Sequence, residues 1–261
     1  MGTLQGSWIW YELMTPDPDG AKAFYDAVVG WTLVPGSPQT NGYGFIANAD
    51  GGMTGGVLTL SDDMIQHGAR PSWLGYIGVD DVDAAVSSVE AAGGKILMPA
   101  NDVPMAGRIA MVADCCGAPF YVMTPTPPPG GGESTAFSAM PHPGRCGWNE
   151  LLAGDQAEAV AFYTSQFGWT LPGAMDMGPM GTYQFIAHDG VQIGAIMTKP
   201  AEVLAAMWCH YFWVDNIAAA KDRVTANGGQ VINGPHEVPG PLWIIQGVDP
   251  QGALFSLVGS A

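Results

Sequence analysis

The sequence predicts an α+β protein of two tandem domains, assembled from four βαβββ modules. Two observations carry this. First, the chain repeats itself. Residues 9–13 read Ile-Trp-Tyr-Glu-Leu and residues 147–151 read Gly-Trp-Asn-Glu-Leu, while Phe24-Tyr25 with Gly30-Trp31 returns as Phe162-Tyr163 with Gly168-Trp169. The offset is 138 from Trp10 to Trp148 and from Phe24 to Phe162; further along it becomes 135, as in Tyr76 to Tyr211 and Asp114 to Asp249. Second, each half restarts midway with the same succession of apolar periodicities. Residues 1–125 and 146–261 are therefore the expected domains, joined by residues 126–145. Around that join, residues 125–132 read Pro-Thr-Pro-Pro-Pro-Gly-Gly-Gly, a density of Pro and Gly that suits a connecting segment.

The elements follow in order. Residues 8–14 alternate and are aromatic-rich, which predicts a strand. Asp17 stands where a helix N-cap belongs, before a helix over 21–29 that Gly30 ends. Strands are expected at 31–34, 43–48 and 56–60. The second module has a strand at 74–79 and a helix at 82–92 with Val82, Val86 and Val89 on one face, stopped by Gly93-Gly94. Strands at 95–98, 109–112 and 119–123 complete it. The second half repeats this scheme with helices near 157–167 and 217–226, the latter stopped by Gly228-Gly229.

Composition removes several classes of function. Of 261 residues, 48% are apolar and 12% charged, with a net charge of −16. Each half can bury its own core without disulfides or a structural metal. Eight basic residues, scattered along the chain, make no positive stripe for nucleic acid or an anionic membrane. No apolar run approaches the roughly 18 residues of a membrane span. The four cysteines (Cys115, Cys116, Cys146, Cys209) form neither a disulfide framework nor a CxxC pair, and thiols in a reducing cytoplasm are expected. The expected partner is a small molecule, with no cofactor. Four modules in one chain leave dimerisation unnecessary, so a monomer or weak homodimer is expected.

The motifs together resemble the vicinal oxygen chelate superfamily, which includes glyoxalase I, extradiol dioxygenases and bleomycin- and fosfomycin-resistance proteins. The resemblance rests on Ala23-Phe24-Tyr25 with Gly30-Trp31, on Val79-Asp80-Asp81-Val82-Asp83 with Gly93-Gly94, and on their second-half counterparts. Asp249-Pro250-Gln251-Gly252 is similar to the superfamily's Asp-Pro-x-Gly turn, and Asp114-Cys115-Cys116-Gly117 is a degraded version. The paired Trp-x-Glu-Leu starts resemble a two-domain bacterial glyoxalase-like subgroup. The resemblance implies tandem glyoxalase-like domains whose curved sheets form two clefts. It also implies metal ligands, His, Gln or Glu, on the first and last strands of the modules. At those positions the chain has Trp10, Trp148, Leu74, Cys209, Tyr121 and Ser256. A protein without the superfamily's metal is therefore expected.

Chemistry is expected from what remains. If Trp10 occupies a former ligand position, strand alternation turns Glu12 to the same side, and Leu74 likewise implies Tyr76. The second half repeats this with Trp148, Glu150 and Tyr211. Each cleft should hold a Trp, a carboxylate and a Tyr hydroxyl, with Tyr121 and Cys209 at its wall. Glu12 and Glu150 are the candidate acid–base groups, since aromatic surroundings desolvate a carboxylate and favour its neutral form. An equally ready reading makes both structural, as hydrogen-bond acceptors where modules meet. The tryptophans read as cleft wall able to stack on a flat ligand. Binding of a small, partly aromatic molecule is the first expectation, with isomerisation or lyase chemistry at Glu12 or Glu150 open. A metal-dependent lyase or dioxygenase with displaced ligands drawn from Glu12, Glu150, Cys209 and His210, and a non-catalytic regulatory protein, are the alternatives.

Overall fold

The computed structural model describes residues 4–127 and 132–261; residues 128–131 of the expected connecting segment lie outside the described residues. The first module comprises β1 (Trp8–Thr15), α1 (Pro18–Val28), β2 (Thr32–Val34), β3 (Gly44–Ala47) and β4 (Met53–Thr59). A short helix, α2 (Asp62–Gln66), leads to β5 (Ser72–Gly78), α3 (Val82–Ala91), β6 (Lys95–Val103), β7 (Gly107–Ala113) and β8 (Pro119–Pro125). The third module is β9 (Cys146–Ala153), α4 (Gln156–Phe167), β10 (Ala174–Asp176), β11 (Thr182–His188) and β12 (Val191–Thr198). The fourth is β13 (Met207–Asn216), α5 (Ile217–Ala226), β14 (Gln230–Val238), β15 (Leu242–Val248) and β16 (Leu254–Ser260). The α+β class and the four βαβββ modules are those read from the sequence.

Each main helix starts on a side chain that satisfies an otherwise orphaned backbone N–H. Asp17 accepts from Gly20, Asp81 from Ala84, Asp155 from Glu158 and Asn216 from Ala219. Gly228 ends α5 at φ +84°, a left-handed backbone that glycine adopts without strain, and Gly229 leaves the space that the Phe24 ring fills.

Each repeat builds one eight-stranded sheet, in the orders β2-β3-β4-β1-β5-β8-β7-β6 and β10-β11-β12-β9-β13-β16-β15-β14. Within every module the last strand lies parallel to the first, and the other neighbours are antiparallel. Two differences from the expected elements have clear causes. β4 begins three residues early, because Gly55 serves strand contact rather than a turn: a Cβ there would stand 1.7 Å from the Tyr11 carbonyl oxygen. β6 runs on to Val103, carrying Pro99 through a register shift between Met98 and Asn101.

The chain gathers into two compact units that cut across the repeats. The first draws on Met1–Ile9, Gly75–Glu133 and Trp148–Trp208, and the second on Trp10–Leu74, Ser134–Gly147 and Cys209–Ala261. The second and third modules thus form one unit, and the first and fourth the other. Part of the expected connecting segment is tied into the second unit: Thr135 bonds both backbone groups of Met53, and Gly144 offers its carbonyl to Trp31 Nε1 at 2.7 Å.

At the heart of each unit lies the same buried relay. In the second, Trp73 Nε1 donates to Tyr25 Oη at 2.9 Å and Tyr25 Oη donates to Asp249 Oδ2 at 3.0 Å. Asp249 Oδ1 takes the backbone N–H groups of Gln251 and Ala253 at 2.9 and 2.8 Å. In the first, Trp208, Tyr163 and Asp114 repeat this at 2.9 and 3.1 Å, with Asp114 Oδ1 taking Cys116 and Ala118. The Asp114-Cys115-Cys116-Gly117 segment, degraded as a motif, therefore builds the same turn as Asp249-Pro250-Gln251-Gly252. Burial first, and then the facing aspartate, push both tyrosine hydroxyls well above their ordinary range. Burial also raises Asp114 and Asp249, more than their backbone N–H donors lower them.

Tyr25→Phe removes the donor to Asp249 and the acceptor of Trp73. The expected loss is about 1–3 kcal/mol, the cost of stranding buried polar partners, read as a lower urea midpoint. A second expectation concerns pH. Because the native state holds the Asp249 proton more tightly than the unfolded chain, this group adds stability below the unfolded carboxylate value and loses that contribution as pH rises through the native one. The stability of the parent protein relative to Asp249→Asn should therefore grow as pH is lowered from neutrality, measured by urea unfolding across a pH series.

Candidate functional site: paired Trp–Glu–Tyr faces

In the first unit, β9 alternates between a buried row, Asn149, Leu151 and Ala153, and a half-buried row, Trp148, Glu150 and Leu152. The second row lies on a largely apolar face. Tyr183 and Phe185 from β11 and Met197 from β12 pack there, together with Met175 of β10 and Met177. Ala195 of β12 stands directly beside Glu150 in the parallel pairing. One polar chain crosses this face. Trp148 Nε1 donates to Tyr183 Oη at 2.8 Å, and Tyr183 Oη donates to Glu150 Oε2 at 2.7 Å. Trp148 and Tyr183 both meet Phe185 edge-on, at 6.2 and 5.9 Å between ring centroids. A carboxylate is thus oriented by a phenol that is itself oriented by an indole, among thioethers and aromatic rings.

The second unit carries the counterpart. Trp10 Nε1 donates to Tyr43 Oη at 2.9 Å, and Trp10 and Tyr43 flank Phe45 at 6.4 and 5.6 Å. Glu12, 2% exposed, stands beside Gly56 in the β1–β4 pairing. A Cβ at Gly56 would come within 2.3 Å of Tyr43 Oη as that side chain is placed. Ala195 takes that place in the other unit. Glu150 is half-buried and Glu12 buried, so the two faces share a plan and differ in access.

The sequence-derived residues are distributed as follows. Trp10 and Glu12 share one face, as do Trp148 and Glu150. The phenols that hydrogen-bond the two indoles are Tyr43 and Tyr183, which were not among the sequence candidates. Tyr76 instead stacks on Tyr121, 4.2 Å between centroids and 13° between planes, both in the first unit. Tyr211, in the second, accepts from Gln246 Nε2 at 2.9 Å. Cys209 is half-buried on β13, and the next residue, His210, points the other way, to within 4.9 Å of the Tyr11 ring centroid. Burial lowers His210 to about 3 and leaves its imidazole neutral. Arg108 grips Asp83 with two hydrogen bonds of 2.8 Å and reaches Asp102 at 3.1 Å, an exposed ion-pair cluster. The signal for Tyr43 and Tyr183 was in the repeat: Tyr43-Gly44-Phe45-Ile46-Ala47 returns as Tyr183-Gln184-Phe185-Ile186-Ala187 at an offset of 140, two more than that of the preceding motif.

The positions that the superfamily resemblance marks as ligands offer indole, isobutyl, phenol, one thiol and one hydroxyl. That set does not fit a divalent metal, which takes imidazole, carboxylate or clustered thiolate donors.

Comparison with known proteins agrees with this architecture. The family model of the Glyoxalase/Bleomycin resistance protein/Dioxygenase superfamily matches residues 9–122 and again 144–257. CFP32 of Mycobacterium tuberculosis (strain CDC 1551 / Oshkosh), whose name marks it provisionally as a glyoxylase, is 32% identical over 98% of this chain and 96% of its own. The anthracycline biosynthesis protein DnrV of Streptomyces peucetius is 31% identical over 97% of this chain and 93% of its own. Among solved structures, the Mn(II)-bound glyoxalase from Novosphingobium aromaticivorans superposes with a TM-score of 0.66 at 18% identity, covering 98% of this chain and 82% of that one, a likeness of fold. No helix among the described residues is long and apolar enough to cross a membrane.

Two spectroscopic outcomes are expected. In Tyr183→Phe the Trp148 indole N–H resonance moves upfield and exchanges faster with solvent, and Tyr43→Phe does the same to Trp10. The His210 imidazole shows no titration between about pH 5 and 8, the window in which an ordinary histidine changes charge.

Proposed function

Since the chain belongs to the glyoxalase/bleomycin resistance protein/dioxygenase superfamily, we propose that its Trp–Glu–Tyr faces bind a small, partly aromatic molecule without the superfamily's metal. The observation that carries this is the Trp148–Tyr183–Glu150 chain across an apolar face. Aromatic and thioether side chains supply stacking area that adapts to a flat ligand. The carboxylate supplies the one strong acceptor, and with it the means to take a proton from a ligand hydroxyl or an acidic C–H. Tyr183, already donating to Glu150, fixes the carboxylate's direction and is placed to share its hydrogen bond with an oxygen of the ligand.

In this reading Glu150 and Glu12 are the acid–base or acceptor groups. Trp10, Trp148, Tyr76, Tyr121, Tyr211 and Cys209 contribute binding surface, and Tyr43 and Tyr183 join them as positioning residues. The greater access of Glu150 favours the first unit as the working one. The name of the Streptomyces peucetius relative, an anthracycline biosynthesis protein, supports a fused-ring ligand. An isomerisation or lyase step at Glu150 is the catalytic form of this reading, and sequestration is its binding form.

Fluorescence titration with a hydroxylated anthraquinone tests it. The parent protein should show saturable quenching of its tryptophans. Glu150→Gln should weaken binding about 10- to 100-fold, the worth of one hydrogen bond to a charged group, while the urea midpoint stays in place. Unchanged affinity in Glu150→Gln would overturn the assignment, and a lower urea midpoint with intact affinity would make the carboxylate structural. Product analysis of the same mixtures separates sequestration from turnover.

A further inference from the structure

Away from these faces, one corner of the first unit brings three metal-binding side chains together. The ligand atoms of Cys115, Cys116 and Glu158 lie within 4.8 Å of one another, the two thiols part-buried and the carboxylate exposed. The two sulfurs are 4.0 Å apart. Two thiolates on a tetrahedral zinc ion, each at about 2.3 Å, stand roughly 3.8 Å from each other, so the pair needs little movement to share one cation.

The corner is fixed by hydrogen bonds that also hold the fold. Asp114 Oδ1 accepts from Cys116 N at 2.8 Å and sets the turn that carries both cysteines. Glu158 comes from the first turn of α4, and its backbone N–H is capped by Asp155 Oδ1 at 3.0 Å. Asp155 then joins the two pieces, its own N–H donating to Cys116 Sγ at 3.4 Å and its carbonyl oxygen lying 3.5 Å from the same sulfur. Turn and helix cap are therefore held together before any ion arrives.

The duplication supplies an internal comparison. At the equivalent corner of the second unit, Pro250 and Gln251 replace the cysteines at the offset of 135, and Gly20 replaces Glu158 at the offset of 138. The turn is the same, with Asp249 Oδ1 taking the corresponding N–H groups. There the corner carries no ligand triad and is spanned instead by Gln251 Nε2 and Asp17 Oδ2 at 3.5 Å. The fold does not need thiols or a carboxylate at this place, and only one unit has them.

We propose that Cys115, Cys116 and Glu158 form a binding site for a thiophilic divalent cation of the zinc class. Two thiolates and one carboxylate hold the ion, and the fourth position stays open to water or a further ligand. On binding, each sulfur gives its electron pair to the cation and both thiol protons pass to solvent, with no change of oxidation state.

The test uses the full chain, reduced and stripped with a chelator. Zn²⁺ is titrated by calorimetry in buffers of different ionisation enthalpy, and Cd²⁺ by its ultraviolet thiolate charge-transfer band. The expected result is one equivalent bound, with proton release and a band. Cys115→Pro with Cys116→Gln, which grafts the opposite corner's residues, should abolish the band and weaken Zn²⁺ more than tenfold. Cys115→Ser with Cys116→Ser should do the same and serves if the graft disturbs folding by circular dichroism. Glu158→Gln should weaken Zn²⁺ at least several-fold while keeping the band, and Cys146→Ser with Cys209→Ser should leave both unchanged. No band in the parent protein, a band that survives loss of the vicinal pair, or one that vanishes with Cys146 and Cys209 would overturn the proposal.

Discussion

The constraint on which each unit depends is the buried Trp–Tyr–Asp relay. A phenol with no exposed surface must both donate and accept, and a carboxylate buried with it must find donors for both oxygens. Tyr25 and Tyr163 meet that demand by taking an indole N–H and giving their proton to an aspartate. The aspartate's second oxygen takes two backbone N–H groups from its own turn. The relay therefore fixes a helix from one module, a first strand from another and a last turn in a single arrangement. It also explains the Phe-Tyr and Asp-x-x-Gly motifs together, since each supplies half of one hydrogen bond.

The faces that carry the proposed chemistry sit on this frame and reuse the same elements, an indole, a phenol and a carboxylate. In the core the indole and the carboxylate meet on the phenol amid complete burial, and the result is rigidity. On the sheet face Glu150 keeps partial access, and the same trio presents an acceptor among apolar side chains. The difference is one of solvent, and it is why identical residue types serve structure in one place and, in the proposed function, recognition in the other.

Much of this was legible in the sequence because duplication doubled every signal. Strand alternation placed Trp10 with Glu12 and Trp148 with Glu150 on one side of their strands, and Asp17 stood where the cap of the first helix belongs. Tyr43 and Tyr183 were harder to see, because a two-residue difference in the preceding loops shifts their offset and because pairing across strands is a non-local fact. The early start of β4 was hidden for a similar reason: the demand for a bare backbone at Gly55 came from Tyr11, more than forty positions earlier. The cysteine turn looked like a failed motif because only Asp114 and the backbone, and not the two residues between, make the bonds that define it.

The crosswise pairing of modules has a consequence for the order in which the chain can acquire its structure. Tyr163 and Asp114 are 49 residues apart, whereas Tyr25 and Asp249 are separated by 224. Closing the longer loop costs about 1.3 kcal/mol more by chain entropy alone, and its second end leaves the ribosome only after the second and third modules have done so. The inner pair of modules can close while the first one waits, its Phe24 and Tyr25 still without the Phe255 and Asp249 they pack against. One unit is thus nested within the other along the chain, and the first module is completed only by the fourth.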